Sequence, residues 1–252
     1  MKKLLTILSF CFLVYISLAA EHYSSILEQG NELYKQEKYE EAISAYNEVL
    51  SANYESAELY YNIGNAYYKT GGIPLAILFY EKSLKLKPGN SDCAHNLKLA
   101  NQQITDSIES IPPIFYKTWW VNLRGLFSAD LWGWIAILSL FAAAILLALF
   151  KTTNKVQMKK LVFYTGVSLV CISILATIFG LQSRAQIESS DQAIVFTPSL
   201  NVKSSPANNS TDLFVIHEGT KVNVIEVVDN WIKISIADGN TGWITKQDIE
   251  HI

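Results

Sequence analysis

Residues 130–181 read DLWGWIAILSLFAAAILLALFKTTNKVQMKKLVFYTGVSLVCISILATIFGL. Two apolar runs, Leu131–Phe150 and Leu161–Leu181, flank the ten-residue linker Lys151–Lys160, and neither run holds a charged side chain. A helix rises ~1.5 Å per residue, so each run is long enough to cross a hydrocarbon core of about 30 Å. The linker carries Lys151, Lys155, Lys159 and Lys160 and no acid. A short basic loop between two spans marks the cytoplasmic side. The expectation is a transmembrane helical hairpin, with spans at 130–150 and 161–181 and a cytoplasmic loop at 151–160. Both flanking segments then lie on the outer side. Asp130 is the expected N-cap of the first span. Ala142-Ala143-Ala144 and Gly166 would let the two helices approach closely. The apolar runs lack the ionisable residues that an ion path needs, so the hairpin reads as an anchor.

Working outward, Met1–Ala20 has the order of a secretory signal peptide: Lys2 and Lys3, an apolar Leu4–Leu18, then small residues. It is either cleaved after Ala19 or Ala20 or retained as an anchor. Export of Glu21 onward agrees with the side read from the lysines. Segment 107–129 is a linker whose Pro112-Pro113 stops the preceding helix. Within it, Ile114–Phe127 sets Phe115, Trp119, Leu123 and Leu126 on one side. With Trp120, Trp132 and Trp134 this predicts an interfacial helix and an aromatic belt. The flanking segments are mildly acidic: Glu21–Ser110 holds 13 acids against 7 basic residues, and Ser183–Ile252 holds 9 against 5. That balance excludes nucleic acid as a partner, since phosphate recognition needs clustered Lys and Arg.

Tyr23–Ser56 aligns on Ala57–Asn90 at a period of 34 residues. Identities fall at Gly30/Gly64, Asn31/Asn65, Tyr34/Tyr68, Lys35/Lys69, Ala42/Ala76, Ile43/Ile77, Tyr46/Tyr80 and Leu50/Leu84. Ala42, Tyr46 and Leu50, like Ala76, Tyr80 and Leu84, follow i, i+4, i+8 and make one apolar stripe. The two glycines permit close helix approach, Gly71-Gly72 breaks a helix, Pro74 suits the first turn of the next, and Pro88-Gly89 ends it. The pattern resembles the tetratricopeptide repeat (TPR). Ile26, Gln29, Gly30, Leu33, Ala42 and Tyr46 in unit one, and Tyr60, Ile63, Gly64, Tyr67, Ala76, Tyr80 and Pro88 in unit two, stand at its signature positions. The resemblance implies an all-α TPR solenoid over 21–106, with repeats 23–56 and 57–90. A capping helix at 91–106 is expected to turn Ala94, Leu97 and Ile104 inward.

A TPR solenoid implies a peptide-binding concave groove. Its lining would be Leu27, Asn31, Tyr34, Tyr61, Asn62, Asn65, Tyr68, Lys69, Asp92, His95 and Leu99. Equally, these tyrosines and asparagines could simply pack and cap the repeats. Asn31 and Asn62 match two places of the carboxylate-clamp variety of TPR. Leu27, Asp92 and Asn96 stand where that variety is basic, so a C-terminal carboxylate ligand is not expected.

In 182–252, Gln192–Thr197, Thr220–Val228, Trp231–Ala237 and Thr241–Thr245 read as short strands. Asp229-Asn230 and Asp238-Gly239-Asn240 read as hairpin turns. The density of turns predicts a small all-β barrel. Leu200–Pro206 (LNVKSSP), Glu218–Val222 and Trp231–Ile244 resemble the bacterial SH3 domain, which implies an SH3-like barrel and a cell-wall peptide or a protein as ligand. Asn201, Ser204, Trp231 and Trp243 would line that ligand face, or the two tryptophans pack the barrel.

The whole order is therefore multidomain, and it resembles the family of E proteins of the Bacteroides aerotolerance (Bat) operon. The resemblance implies a bacterial inner-membrane component of oxidative-stress tolerance, with von Willebrand A-domain Bat proteins as partners. The first reading is a membrane-anchored protein–protein interaction adaptor with both outer domains periplasmic. The second is peptidoglycan binding or sensing through the SH3-like domain. A third uses Cys93 as a redox thiol, against a packed inert cysteine. Catalysis is not expected: His22, His95, His217 and His251 are scattered, no metal-ligand spacing appears, and no nucleotide loop or nucleophile elbow is present. No cofactor or metal is expected.

Overall fold

Each repeat unit forms because its small residues face its tyrosines across a helix pair. The computed structural model describes residues 23–106, 108, 115–189 and 191–252. The expected leader and Pro112-Pro113 lie outside the described residues. Helix α1 covers residues 23–35 and α2 Tyr39–Ser51; α3 is Ala57–Thr70 and α4 Ile73–Leu86. A Cβ on Gly30 would sit 2.5 Å from the Tyr46 ring, and one on Gly64 2.7 Å from the Tyr80 ring, so only glycine lets these aromatics lie flat across the neighbouring helix. Ala42, Tyr46, Ala76 and Tyr80 are buried, as the repeat predicts, and Leu50 and Leu84 are half-buried. Ser56 caps α3 by accepting from the Leu59 N–H at 3.1 Å. Gly71, at φ 82°, closes its other end in the left-handed region that glycine adopts freely. Pro74 sits in the first turn of α4 as expected.

The expected capping helix is shorter than predicted. Helix α5 runs Ser91–Asn101, with Asn90 as its cap, and Ile104 lies beyond its end. Its inward residues are Cys93 and Ala100, while Ala94 is exposed. Leu97 and Ile104 do pack against the core as expected, Ile104 from beyond the end of the helix.

Seven antiparallel strands make up the C-terminal sheet: β1 Gln192–Val195, β2 Ser199–Lys203, β3 Asp212–His217, β4 Lys221–Val228, β5 Trp231–Ser235, β6 Thr241–Thr245 and β7 Ile249–His251. Their order is β3-β2-β6-β5-β4-β1-β7. Four strands were anticipated: β6 has the expected bounds, and β1, β4 and β5 each differ at one end by one or two residues. Strands β2, β3 and β7 were not. The two-residue turn at Asp229-Asn230 pairs Val228 with Trp231, and Asp229 takes a positive φ of 50°. Ile232, Ile234 and Ile236 alternate inward as the pattern predicted, and they join Val202, Ile216, Val222 and Ile244 in the β core.

The repeat helices and the sheet form one compact unit. A single apolar cluster combines Ala76, Ile77, Leu78, Tyr80, Cys93 and Ala100 with Ile194 and Ile252. Ile104 and Phe196 pack against it. A Cβ on Gly219 would meet the Ile104 side chain at 2.5 Å. The end of the solenoid is therefore covered by the β domain as well as by α5. Polar contacts seal the same junction. Asp106 accepts from the His217 backbone N–H at 2.6 Å and from the Thr220 hydroxyl at 2.7 Å, and it pairs with His217 Nδ1 at 2.7 Å. Lys221 donates to Glu81 at 2.8 Å.

The second unit holds α6 Phe115–Arg124, α7 Ala129–Thr152 and α8 Val156–Glu188. Helices α7 and α8 are long and apolar enough to cross a membrane. Only Thr153–Lys155 separates them, so most of the expected ten-residue loop is helical. Helix α8 runs past Leu181 to Glu188, because Gln182–Glu188 carries no breaker. Ser128, not Asp130, caps α7: its hydroxyl accepts from the Leu131 N–H, and Asp130 stands one residue into the helix. The helices meet through Ala136, Ser139 and Ala143 on α7 and Ser173 and Ala176 on α8, with Ser173 donating to the Ala136 carbonyl at 2.9 Å. Of the expected alanine triplet only Ala143 is buried. Phe115, Trp119, Leu123 and Leu126 are all exposed on or just after α6, while Trp120 rests on Phe179 with ring centroids 4.9 Å apart.

Candidate functional site

The 34-residue period places one polar motif twice. In unit one, Asn31 Oδ1 accepts from the Tyr46 hydroxyl and from the Asn62 amide, both at 2.9 Å. In unit two, Asn65 Oδ1 accepts from the Tyr80 hydroxyl and from the Asn96 amide, both at 2.8 Å. Each bond set joins the two helices of a repeat and then reaches the next repeat. The asparagines are thus structural rungs between α1, α3 and α5. Burial raises the Tyr46 hydroxyl pKa to about 12, with Tyr34 and Glu58 adding to the shift, so it stays protonated and acts as a donor. Burial pushes Tyr80 up in the same way.

A cleft of about 270 Å³ opens between these rungs. Asn31, Tyr34, Asn62 and Asn65 line it, four of the residues expected from the sequence, together with Glu28, Lys35, Tyr46 and Glu58. Glu28, Asn31 and Lys35 follow helical spacing on α1, and Glu58, Asn62 and Asn65 do so on α3, so two stripes face each other. Lys35 is held by Glu32 at 2.7 Å.

The remaining expected groove residues lie outside this cleft. Tyr61 accepts from Asn96 at 3.2 Å, and Tyr68 accepts from Gln103 at 2.7 Å. Lys69, Asp92, His95 and Leu99 are exposed, and Leu27 is half-buried. Sequence reasoning passed over Glu28 and Glu58. Their signal was present: Glu28 lies three residues before Asn31, and Glu58 four before Asn62.

The β domain carries a second concavity, of about 420 Å³, between Asn208, Asn230, Trp231, Thr245, Lys246 and Gln247. Of the four residues expected on a ligand face, only Trp231 lines it. Trp243 is 9% exposed and packs within the sheet, paired in register with Lys203 and Lys233. Asn201 donates to Asp212 at 3.0 Å, and Ser204 is exposed elsewhere. Asn201 lies on β2 and Ser204 just past its end, and neither lines this concavity.

Cys93 is fully buried, and its thiol donates to the Tyr80 carbonyl at 3.4 Å. Burial raises its pKa to about 11. A thiol held this way is protonated and shielded from oxidants. Among the described residues no group of three or more His, Cys, Asp or Glu is arranged to hold a metal ion.

Residues 27–91 match the tetratricopeptide repeat family, and residues 198–250 match the bacterial SH3 domain family. No curated protein matches the chain. Both families are binding domains and neither is catalytic. With the geometry above, the described residues include a TPR-like helical region, two apolar helices fit to cross a membrane, and a C-terminal antiparallel sheet of the bacterial SH3 kind.

Proposed function

We propose that the chain is a membrane-anchored adaptor whose TPR groove holds a segment of a partner protein, and that its role is binding, without catalysis. The observation that supports this most is the cleft lined by Asn31, Tyr34, Asn62 and Asn65. There the rungs that hold the repeats together leave Glu28, Tyr34 and Glu58 facing open space. A groove kept rigid before binding loses little ordering entropy when a segment enters it. The hairpin tethers this module to a bacterial inner membrane, with the repeat and β domains on the periplasmic side and Lys151–Lys160 in the cytoplasm. The resemblance to the Bat family makes von Willebrand A-domain proteins of that complex the partners to test, and oxidative-stress tolerance the physiological setting.

Co-purification from detergent-solubilised membranes tests the assignment. The von Willebrand A-domain protein should be recovered with the native chain and lost with Tyr34→Ala combined with Asn62→Ala. Undiminished recovery would remove the groove from the account.

A second reading draws on the β-domain cleft. An indole face with three amides and one lysine suits a peptide bearing carboxylates, such as the stems of peptidoglycan. Sedimentation of the full-length protein with purified cell wall, abolished by Trp231→Ala, is the expected outcome on that reading.

A further inference from the structure

We infer that the TPR groove selects a partner segment by a cationic side chain, arginine or lysine, seated between Glu28 and Glu58. This rests on the groove reading above and adds the chemistry of the occupant. The repeat itself supplies the reason. Position 28 of unit one corresponds to Asn62 of unit two and to Asn96 of the following helix, at the same 34-residue interval. Asn62 and Asn96 each donate an amide proton to the preceding rung, at 2.9 and 2.8 Å. Glu28 breaks the series. A carboxylate can only accept, so a group seated against it has to bring the protons.

Glu58 lies in the same cleft and has the same requirement. No ion-pair partner is found for either carboxylate among the described residues. The one cation lining the cleft, Lys35, bonds Glu32 at 2.7 Å and also feels the Glu28 charge. Glu28 and Glu58 outweigh Lys35, so the lining keeps a net negative charge above a floor of amides and tyrosine hydroxyls. A guanidinium or ammonium on a partner chain would complete it, whereas a carboxylate would meet like charge.

A randomised peptide library panned against the full-length protein in lipid nanodiscs, with empty nanodiscs as counter-selection, tests this. Groove-bound peptides are those whose binding is lost with Tyr34→Ala. They should share one arginine or lysine at a fixed position, and its replacement by glutamine should weaken binding by about fivefold or more. Glu28→Gln combined with Glu58→Gln should erase that difference. Both side chains are exposed, so the double variant disturbs no core. The cationic contribution should also shrink as salt rises. Groove-bound peptides with no fixed cation, or a cationic preference that survives the double variant, overturn the inference and leave the groove reading standing. A library yielding no peptide that depends on Tyr34 overturns both.

Discussion

Replacing Asp106 by alanine strips the junction between repeats and β domain of its central acceptor. Three donors lose their partner: the His217 backbone N–H at 2.6 Å, the Thr220 hydroxyl at 2.7 Å and His217 Nδ1 at 2.7 Å. A hydrogen bond to an ionised group contributes ~1.5–3 kcal/mol, and a buried donor left unpaired costs a similar amount. The side chains of Asp106 and His217 are 12% and 32% exposed, so water replaces part of what is lost. A total of about 2–4 kcal/mol follows. Hydrogen exchange on the full-length protein in nanodiscs reads this locally. Amides of Gln192–Val195 and of residues 217–221 should exchange about 30- to 700-fold faster. The sign with pH is also fixed. Burial alone raises the Asp106 pKa, but hydrogen bonds from Thr220 and from the side chain and backbone of His217, with the His217 charge, outweigh it and hold the carboxyl below its ordinary 3.8. A carboxylate depressed in the folded state contributes stability that is complete above its unfolded pKa and is lost as pH falls through its folded pKa. The junction should therefore hold through neutral and mildly acidic solution and loosen only below about pH 4, and Asp106→Ala should lack this acid-sensitive component. Unchanged exchange at these amides in Asp106→Ala would refute the assignment of Asp106 as the clasp.

Three further outcomes are expected. Gly64→Ala puts a methyl 2.7 Å from the Tyr80 ring, which is 1% exposed and bonded to Asn65, so the ring cannot yield and thermal unfolding should show a loss of about 1–3 kcal/mol. In the folded protein at pH 8, Cys93 should react with iodoacetamide at least about 100-fold more slowly than a free thiol, from its raised pKa alone, and reach the free rate on denaturation; rapid labelling of the native protein would revive a redox role. Fusions ending at Asn154 should give fluorescent green fluorescent protein and inactive alkaline phosphatase, and the reverse pattern would invert the proposed topology.

The repeat domain was legible because its helices are held by local rules. Gly30 against Tyr46, Gly71 at a helix end and Pro74 in a first turn are each set by a few neighbouring residues. Of the Asn31–Tyr46–Asn62 rung only Asn31 and Tyr46 were visible, as repeat identities, since its bonds cross between helices. The β domain was half legible. The Asp229-Asn230 turn and the Ile232–Ile236 alternation announce a hairpin, whereas β7 has three residues and follows a tight turn, too short to show a period. The junction was missed altogether, yet one signal lay in the sequence. Ala193, Ile194 and Val195 are consecutive and all buried. A strand covered on one face alternates, and a continuous apolar run means cover on both. Ala193 and Val195 face the β core and Ile194 faces the repeats. Asp106 and His217 offered no such cue: they are 111 residues apart, and each is an ordinary polar residue in its own segment.

The shared core decides how the two binding readings can be separated. Deleting 191–252 would be the obvious way to ask whether the β domain carries the function. It would also strip Ile194, Phe196 and Ile252 from the cluster that covers Ile77, Cys93 and Ala100, exposing apolar surface at the end of the solenoid. Tyr80 belongs to that cluster and also donates to Asn65, so the damage would pass directly into the rungs that shape the groove. A truncated chain that loses its partner therefore says nothing about which domain binds. Trp231 offers a cleaner cut. It lines the β-domain cleft with Asn208, Asn230 and Lys246, none of which belongs to the shared cluster. Trp231→Ala should silence a cell-wall ligand and leave the TPR groove intact, and Tyr34→Ala should do the converse.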